Sequence, residues 1–256
     1  MIDGIYTFLT TRANWQGAYG IPARLAEHIQ YSVIALAIAL LIALPVGLLI
    51  GHTGKGTAVV AMMANSLRAL PTFGLLIFFV VLISPHIHGK GDAAYLIPSE
   101  IVLVLLAIPS ILSNTFAGVQ NVDPAARDAA VGMGMTGSQV LFRVELPCSL
   151  PLIMSGVRSA TLQVIATATI AAYVSLGGLG RFVFDGQAQQ DYPQMASGAL
   201  LVALLAMLAD FLLSLLQRGI VSRGISGRYA KSGPAEDTTS VDALASLVRE
   251  AEGTRV

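Results

Sequence analysis

Charge is what this chain has least of. Only 12% of its 256 residues are charged, 55% are hydrophobic, and the formal net charge is zero. A soluble domain carries about 25% charged residues; half that share leaves too little polar surface to cover a globule in water. The even balance of signs removes any case for a nucleic-acid partner. A single cysteine, Cys148, excludes an internal disulfide and reads as an inert thiol. Aromatic residues make up 7% with one tryptophan, so the chain has no cluster of tryptophans to cage an organic cation. No glycine-rich run is followed by the Lys-Ser/Thr of a P-loop, so ATP hydrolysis is not expected of this chain, nor any cofactor bound by it. His86 and His88 are two ligands where zinc generally takes three or four, so no metal site is expected. The first twenty residues lack a basic start and an apolar run of signal-peptide length, and the N-terminus is expected to be kept.

What fills the chain is apolar sequence in runs of membrane-crossing length. Helical residues rise about 1.5 Å each and a bilayer core is about 30 Å thick, so about twenty apolar residues make one crossing. Five spans are expected, at 29–50, 57–83, 96–119, 152–176 and 196–216, with a polar loop over 181–195 between the last two. The second is interrupted by Asn65, Arg68 and Pro71. It divides into a partly interfacial half (57–68) and a buried half (70–83), because Pro71 prevents a normal bond to the carbonyl of Leu67. The fold class is thus an all-α integral membrane protein in three parts. Residues 1–28 are an interfacial segment outside the cytoplasm, 29–218 the transmembrane domain, and 219–256 a cytoplasmic tail. The tail is expected to be largely disordered, with a short helix over 241–252. Five crossings put the termini on opposite sides. Near the span ends, Lys55, Arg127, Arg143, Arg218, Arg223, Arg228 and Lys231 fall on one side, and Arg12, Arg24, Lys90 and Arg181 on the other. Seven against four places the first group in the cytoplasm of an inner-membrane protein, with the N-terminus outside.

Between the third and fourth spans lies a polar island, DPAARDAAVGMGMTGSQVLFRVELPCSLP, residues 123–151. Asp123-Pro124 is a helix start, with aspartate as cap and proline in the first turn. A short helix over 125–132 should end in the glycines at 132–134, and a second over 139–145 should stop at Pro147. A compact helix–turn–helix on a membrane face suits a groove in a soluble protein. Asp128-Ala129-Ala130 is followed after three residues by Gly134, and after nine more by Val144-Glu-Leu146-Pro147.

That register resembles the cytoplasmic coupling motif of ABC importer permeases, Glu-Ala-Ala, three residues, Gly, nine residues, Ile-x-Leu-Pro, with Asp128 for glutamate and Val144 for isoleucine. The resemblance covers roughly 23–218. HIQYSVIALAIALLIALPVGLLIG, NSLRALPTFGLL and SLGGLG are similar to the branch that imports glycine betaine, carnitine or choline; the methionine branch shares the RxxP and GGLG features. It implies a type I importer fold like that of methionine importers. It also implies that Asp128, Ala129, Ala130, Gly134, Val144, Leu146 and Pro147 couple to a separate ATPase, which binds ATP and Mg. Further partners would be a second permease copy or paralogue, an extracytoplasmic substrate-binding protein, and lipid. A permease of a methionine or other small-solute importer is the nearest alternative, and a stand-alone channel or secondary transporter a more distant one.

Three other groups stand out. Ser155, Ser159, Gln163 and Thr167 recur every fourth residue, so they share one helical ridge. With Gly156, Ala160 and Ala171 nearby, that face either lines a path or lets two helices approach closely. Arg158 and Asp210 should lie at similar depth, where a lone charge is costly, and form an ion pair for which Arg68 competes. Gly177, Gly178 and Gly180 mark a helix end or a hinge at an outer gate.

Overall fold

The computed structural model describes residues 1–87, 93–174 and 176–221, apart from the side chains at 61, 63–65 and 68. The Arg68 side chain, His88, Lys90 and the proposed helix at 241–252 lie outside the described residues.

Two helices form the spine. Helix α1 (Ile2–Thr10) and a single 3-10 turn precede α2, Ile21–Thr53, which starts eight residues earlier than its apolar run because Pro22 sits in its first turn and pre-sets a helical angle. Residues 21–28 therefore belong to the first crossing helix and not to a separate N-terminal segment. Small residues stand at every fourth position of α2, Ala35, Ala39, Ala43, Gly47 and Gly51, all buried. They face α5, Ala93–Gln120, which carries Leu103, Ala107 and Ile111 into the same cluster. A Cβ added at Gly47 would lie 2.7 Å from Cβ of Thr115, and one at Gly51 2.6 Å from Cβ of Val119. Both partners advance four residues in the same direction, so α2 and α5 run parallel. Lipid tails are as apolar as leucine, so helices in a bilayer associate through such close backbone approach and not through hydrophobic expulsion.

A parallel pair needs a return crossing between its members. It is made by α3 (Thr57–Ala69) and α4 (Thr72–Ile83), with the backbone extended at Leu70 and Pro71. The second span thus divides into two helices at Pro71, close to the expected halves. The twelve residues of α4 reach about 18 Å, short of the bilayer core, so the return takes both pieces. Among the described residues four helical stretches are long and apolar enough to cross alone: Ile21–Thr53, Ala93–Gln120, Gly137–Val174 and Tyr192–Ile220.

The third of these holds α8, Leu146–Ala171, which packs Ala160, Val164 and Ala168 onto the α2–α5 seam. The polar stretch after it is not the loop expected over 181–195. It folds as α9, Gly180–Gln189, since Phe182 docks into a cluster with Ile21 and Leu179, and Arg181 pairs with Asp185 one turn on at 2.6 Å. Gln190, at φ +56°, ends it, and Asp191 Oδ1 accepts from the N–H of Gln194 at 3.0 Å at the start of α10, Tyr192–Ile220. Only Ser197 and Gly198 of α10 are buried, which leaves a long apolar face exposed.

Candidate functional site: a polar end-piece on the helical bundle

The island folds as two helical pieces joined by a tight turn. Asp123 Oδ1 accepts from the N–H of Ala125 at 2.9 Å and caps α6, Pro124–Gly132. Gly134 then takes φ +81°, a left-handed angle that costs a residue with a Cβ about 1–2 kcal/mol. The chain re-enters a helix at α7, Gly137–Val140, where the N–H of Thr136 donates to Gln139 Oε1 at 2.8 Å.

From here the structure departs from the expected stop at Pro147. Leu141–Glu145 form one π-helical turn, closed by a bond from the N–H of Leu146 to the carbonyl of Leu141, and the helix runs on into α8. An α-helix would require residue 147 to bond to the carbonyl of Arg143, which proline cannot do. The wider π turn removes that requirement, so Pro147 becomes a first-turn residue of α8. Such π turns inside α-helices are frequent at functional positions.

The π turn also points Glu145 inward. Glu145 is 1% exposed, although it fills the unspecified position of the Val-x-Leu-Pro run. His52 Nδ1, at the end of α2, lies 2.6 Å from its Oε2, and Arg127 Nε, from α6, lies 3.0 Å from its Oε1. Arg127 Nη2 also donates to the carbonyl of Val119 in α5. One buried carboxylate therefore ties the end of α2 and the helix α6 to the head of α8. Glu145 was not among the residues singled out from the sequence; the available signal was an acid at the head of an apolar span, with His52 and Arg127 near the same end of the bundle.

Around this core the coupling positions divide. Asp128, Ala129 and Gly134 are exposed, Ala130 is buried, and Val144, Leu146 and Pro147 are half-buried. Beside Asp128 the end-piece also exposes Val131, Met133 and Phe142, at 61%, 72% and 60%. Three large apolar side chains held out by a polar segment make a contact surface.

At the far end of α2 the Gly177–Gly180 run folds over the helix. Glu27 Oε2 accepts from the N–H of Gly178 at 2.7 Å and from Arg24 Nη1 at 2.9 Å. His28 is fully buried there, with its Nε2 3.0 Å from the carbonyl of Ile165. Gly180 is packed so tightly that a Cβ would lie 2.2 Å from the carbonyl oxygen of Thr169, backbone against backbone. Gly180→Ala is therefore expected to lower stability by about 3 kcal/mol, the upper end of ordinary overpacking. Thermal unfolding of the detergent-purified protein checks this, and an unchanged midpoint would contradict the packing. Beside this turn a cleft of about 340 Å³ is lined by Tyr19, Arg24, Arg181, Phe182, Asp185 and Gln194.

The α8 ridge splits. Ser155 and Ser159 are exposed, whereas Gln163 accepts from Ser110 Oγ at 3.4 Å and Thr167 lines a narrow gap against α4 and α5. Gly156 and Ala160, beside the exposed serines, pack on α5, where a Cβ on Gly156 would lie 2.6 Å from Cβ of Asn114. The small residues thus make the close helix contact, and the two serines face outward. The structure brings Arg158 and Asp210 together: Nη2 lies 2.5 Å from Oδ2, and Nε also donates to Oδ1. Glu100, a further acid within a span that the sequence analysis overlooked, has both oxygens buried with no hydrogen-bond partner among the described residues.

Comparison with known proteins places this geometry. The chain is 31% identical over 201 residues to the glycine betaine/carnitine/choline transport system permease protein OpuCB of Bacillus subtilis (strain 168), covering 78% of this chain and 88% of that one. It is 33% identical over 200 residues to the osmoprotectant import permease protein OsmW of Salmonella typhimurium (strain LT2), covering 78% and 91%. Its fold matches a structure of the MetNI methionine ABC transporter in an inward-facing conformation, with a TM-score of 0.68 at 20% identity over 77% of this chain and 94% of that one. Residues 43–223 match the family model described as binding-protein-dependent transport system inner membrane component, and with the bundle and end-piece described above, this multi-pass membrane protein belongs to that family.

Proposed function

We propose that this chain is the permease subunit of an ATP-driven importer of quaternary-amine osmoprotectants such as glycine betaine, carnitine or choline. Two permease subunits form the path by alternating access. A separate ATPase pair, which carries the ATP and Mg, docks on residues 123–151 in the cytoplasm, and an extracytoplasmic binding protein delivers solute at the opposite end, near Gly177–Gly180. The N-terminus lies outside and the C-terminus inside. The observation that carries the docking reading is the exposed Asp128, Val131, Met133 and Phe142 on a capped helix–turn–helix in the motif register. The cargo reading is supported by what the relatives are named for importing, and by the low aromatic content, which leaves selection of an organic cation to a partner.

Reconstitution into proteoliposomes with its cognate ATPase and binding protein tests this directly. Uptake of labelled glycine betaine, carnitine or choline is expected, driven by internal ATP and resistant to excess methionine. Uptake of methionine alone would overturn the cargo reading.

The same assay tests the coupling turn. Nothing lies within 4 Å of a Cβ on Gly134, so the backbone angle alone opposes substitution. Gly134→Val is expected to uncouple the machine, with ATP hydrolysis continuing and uptake falling about ten-fold, since 1–2 kcal/mol of strain is enough to displace the turn. Gly134→Asn, which tolerates left-handed angles, should transport nearly normally. Normal uptake by the valine variant would count against the assignment.

A further inference from the structure

We infer that Glu145 is the joint through which movement of the docking helix α6 reaches the transmembrane helices, a positioning residue that acts through His52 and Arg127. The inference rests on the import reading above and adds to the motif a residue that its pattern leaves open.

The geometry is that of a joint. The carboxylate presents one oxygen to each partner, Oε2 to His52 at 2.6 Å and Oε1 to Arg127 at 3.0 Å, so neither contact displaces the other. His52 ends α2, Arg127 lies in α6, and Glu145 heads the helix that becomes α8. Arg127 Nη2 extends the connection to the last turn of α5 through Val119. Apart from its own chain continuity, α6 packs chiefly on residues 137–145, so this cluster is its principal side-chain route to the bundle. At 1% exposure Glu145 is shut off from solvent; its contact with His52 is a hydrogen bond and that with Arg127 an ion pair, and such contacts to a buried charge are costly to break. A rigid displacement of α6 must therefore carry Arg127, Glu145 and His52 with it. The π turn serves this arrangement, because without it Glu145 would head a different face of the helix.

The test is the ratio of solute imported to ATP hydrolysed, measured in proteoliposomes holding the complete complex. Glu145→Gln preserves shape and is expected to lower that ratio about ten-fold, the scale of one lost hydrogen bond to a charge. His52→Gln removes one of the two contacts, should lower it in the same direction by a smaller factor, and carries the test if Glu145→Gln fails to assemble. The paired Glu145→Gln, Arg127→Gln variant separates positioning from mere stability. Removing both charges should restore much of the thermal stability lost on removing one, yet leave the ratio low. A normal ratio in Glu145→Gln, or in His52→Gln where Glu145→Gln does not assemble, overturns the inference. So does a ratio that recovers together with stability in the paired variant. Failure of the unmodified complex to import would instead overturn the import reading itself.

Discussion

Gly47→Leu is expected to remove most of the folded protein from the membrane. At this position even a methyl group would lie 2.7 Å from Cβ of Thr115 and 3.3 Å from the carbonyl oxygen of Leu112, so the α2–α5 seam would have to open to admit a side chain. Overpacking by a few methylenes costs about 1–3 kcal/mol when neighbours can move. Here the neighbour is a parallel helix held by Ala35, Ala39, Ala43 and Gly51 in the same row, and prying it away forfeits those contacts together. Against a total stability of about 5–15 kcal/mol, that is a large share. Gly47→Ala should fold with a lowered unfolding midpoint, and the leucine variant should yield little monodisperse protein on extraction. Wild-type yield and melting for the leucine variant would show that the seam is not held this way.

The second large effect concerns Arg158 and Asp210. Each lies within a helix of membrane-crossing length, and their side chains are 40% and 30% exposed on the isolated chain. Arg158→Leu leaves a carboxylate alone at that depth, and Asp210→Leu leaves a guanidinium. Both single variants are expected to lose most of their folded yield. The double leucine variant should recover it, because breaking one side of a desolvated pair is worse than removing both. A charge swap, Arg158→Asp with Asp210→Arg, tests orientation separately; it should restore uptake lost in either single variant. If the double leucine variant is no better than the singles, the two side chains do not depend on each other.

The parts of this molecule that could be read from the sequence are those marked by local chemistry. Apolar runs located the long crossings, and Asp123-Pro124 marked the start of α6, because capping and first-turn proline act within a few residues of chain. Pro71 marked the break in the second crossing for the same reason. The errors arose where a local rule met a tertiary arrangement. Pro147 looked like a stop because the rule counts only α-type bonds, whereas a π turn upstream accommodates it. Residues 180–189 read as loop because their composition is polar, yet docking of Phe182 beside Ile21 makes them a helix. The α2 row of alanines and glycines was invisible within a uniformly apolar run, where small size carries information only once the facing helix is known. Glu145 was passed over because the coupling motif leaves its position unspecified.

Helix α2 is tied down at both extremities, by the His52–Glu145 contact at 2.6 Å and by the Glu27–Gly178 bond at 2.7 Å. Its 33 residues make a rod about 50 Å long. A tilt of 5° about its midpoint would carry each tip about 2 Å in opposite directions, a simple product of half-length and angle. That displacement is comparable with the length of either tether. One continuous helix therefore carries contacts at both ends of the bundle, and a tilt at one end is felt as a displacement at the other.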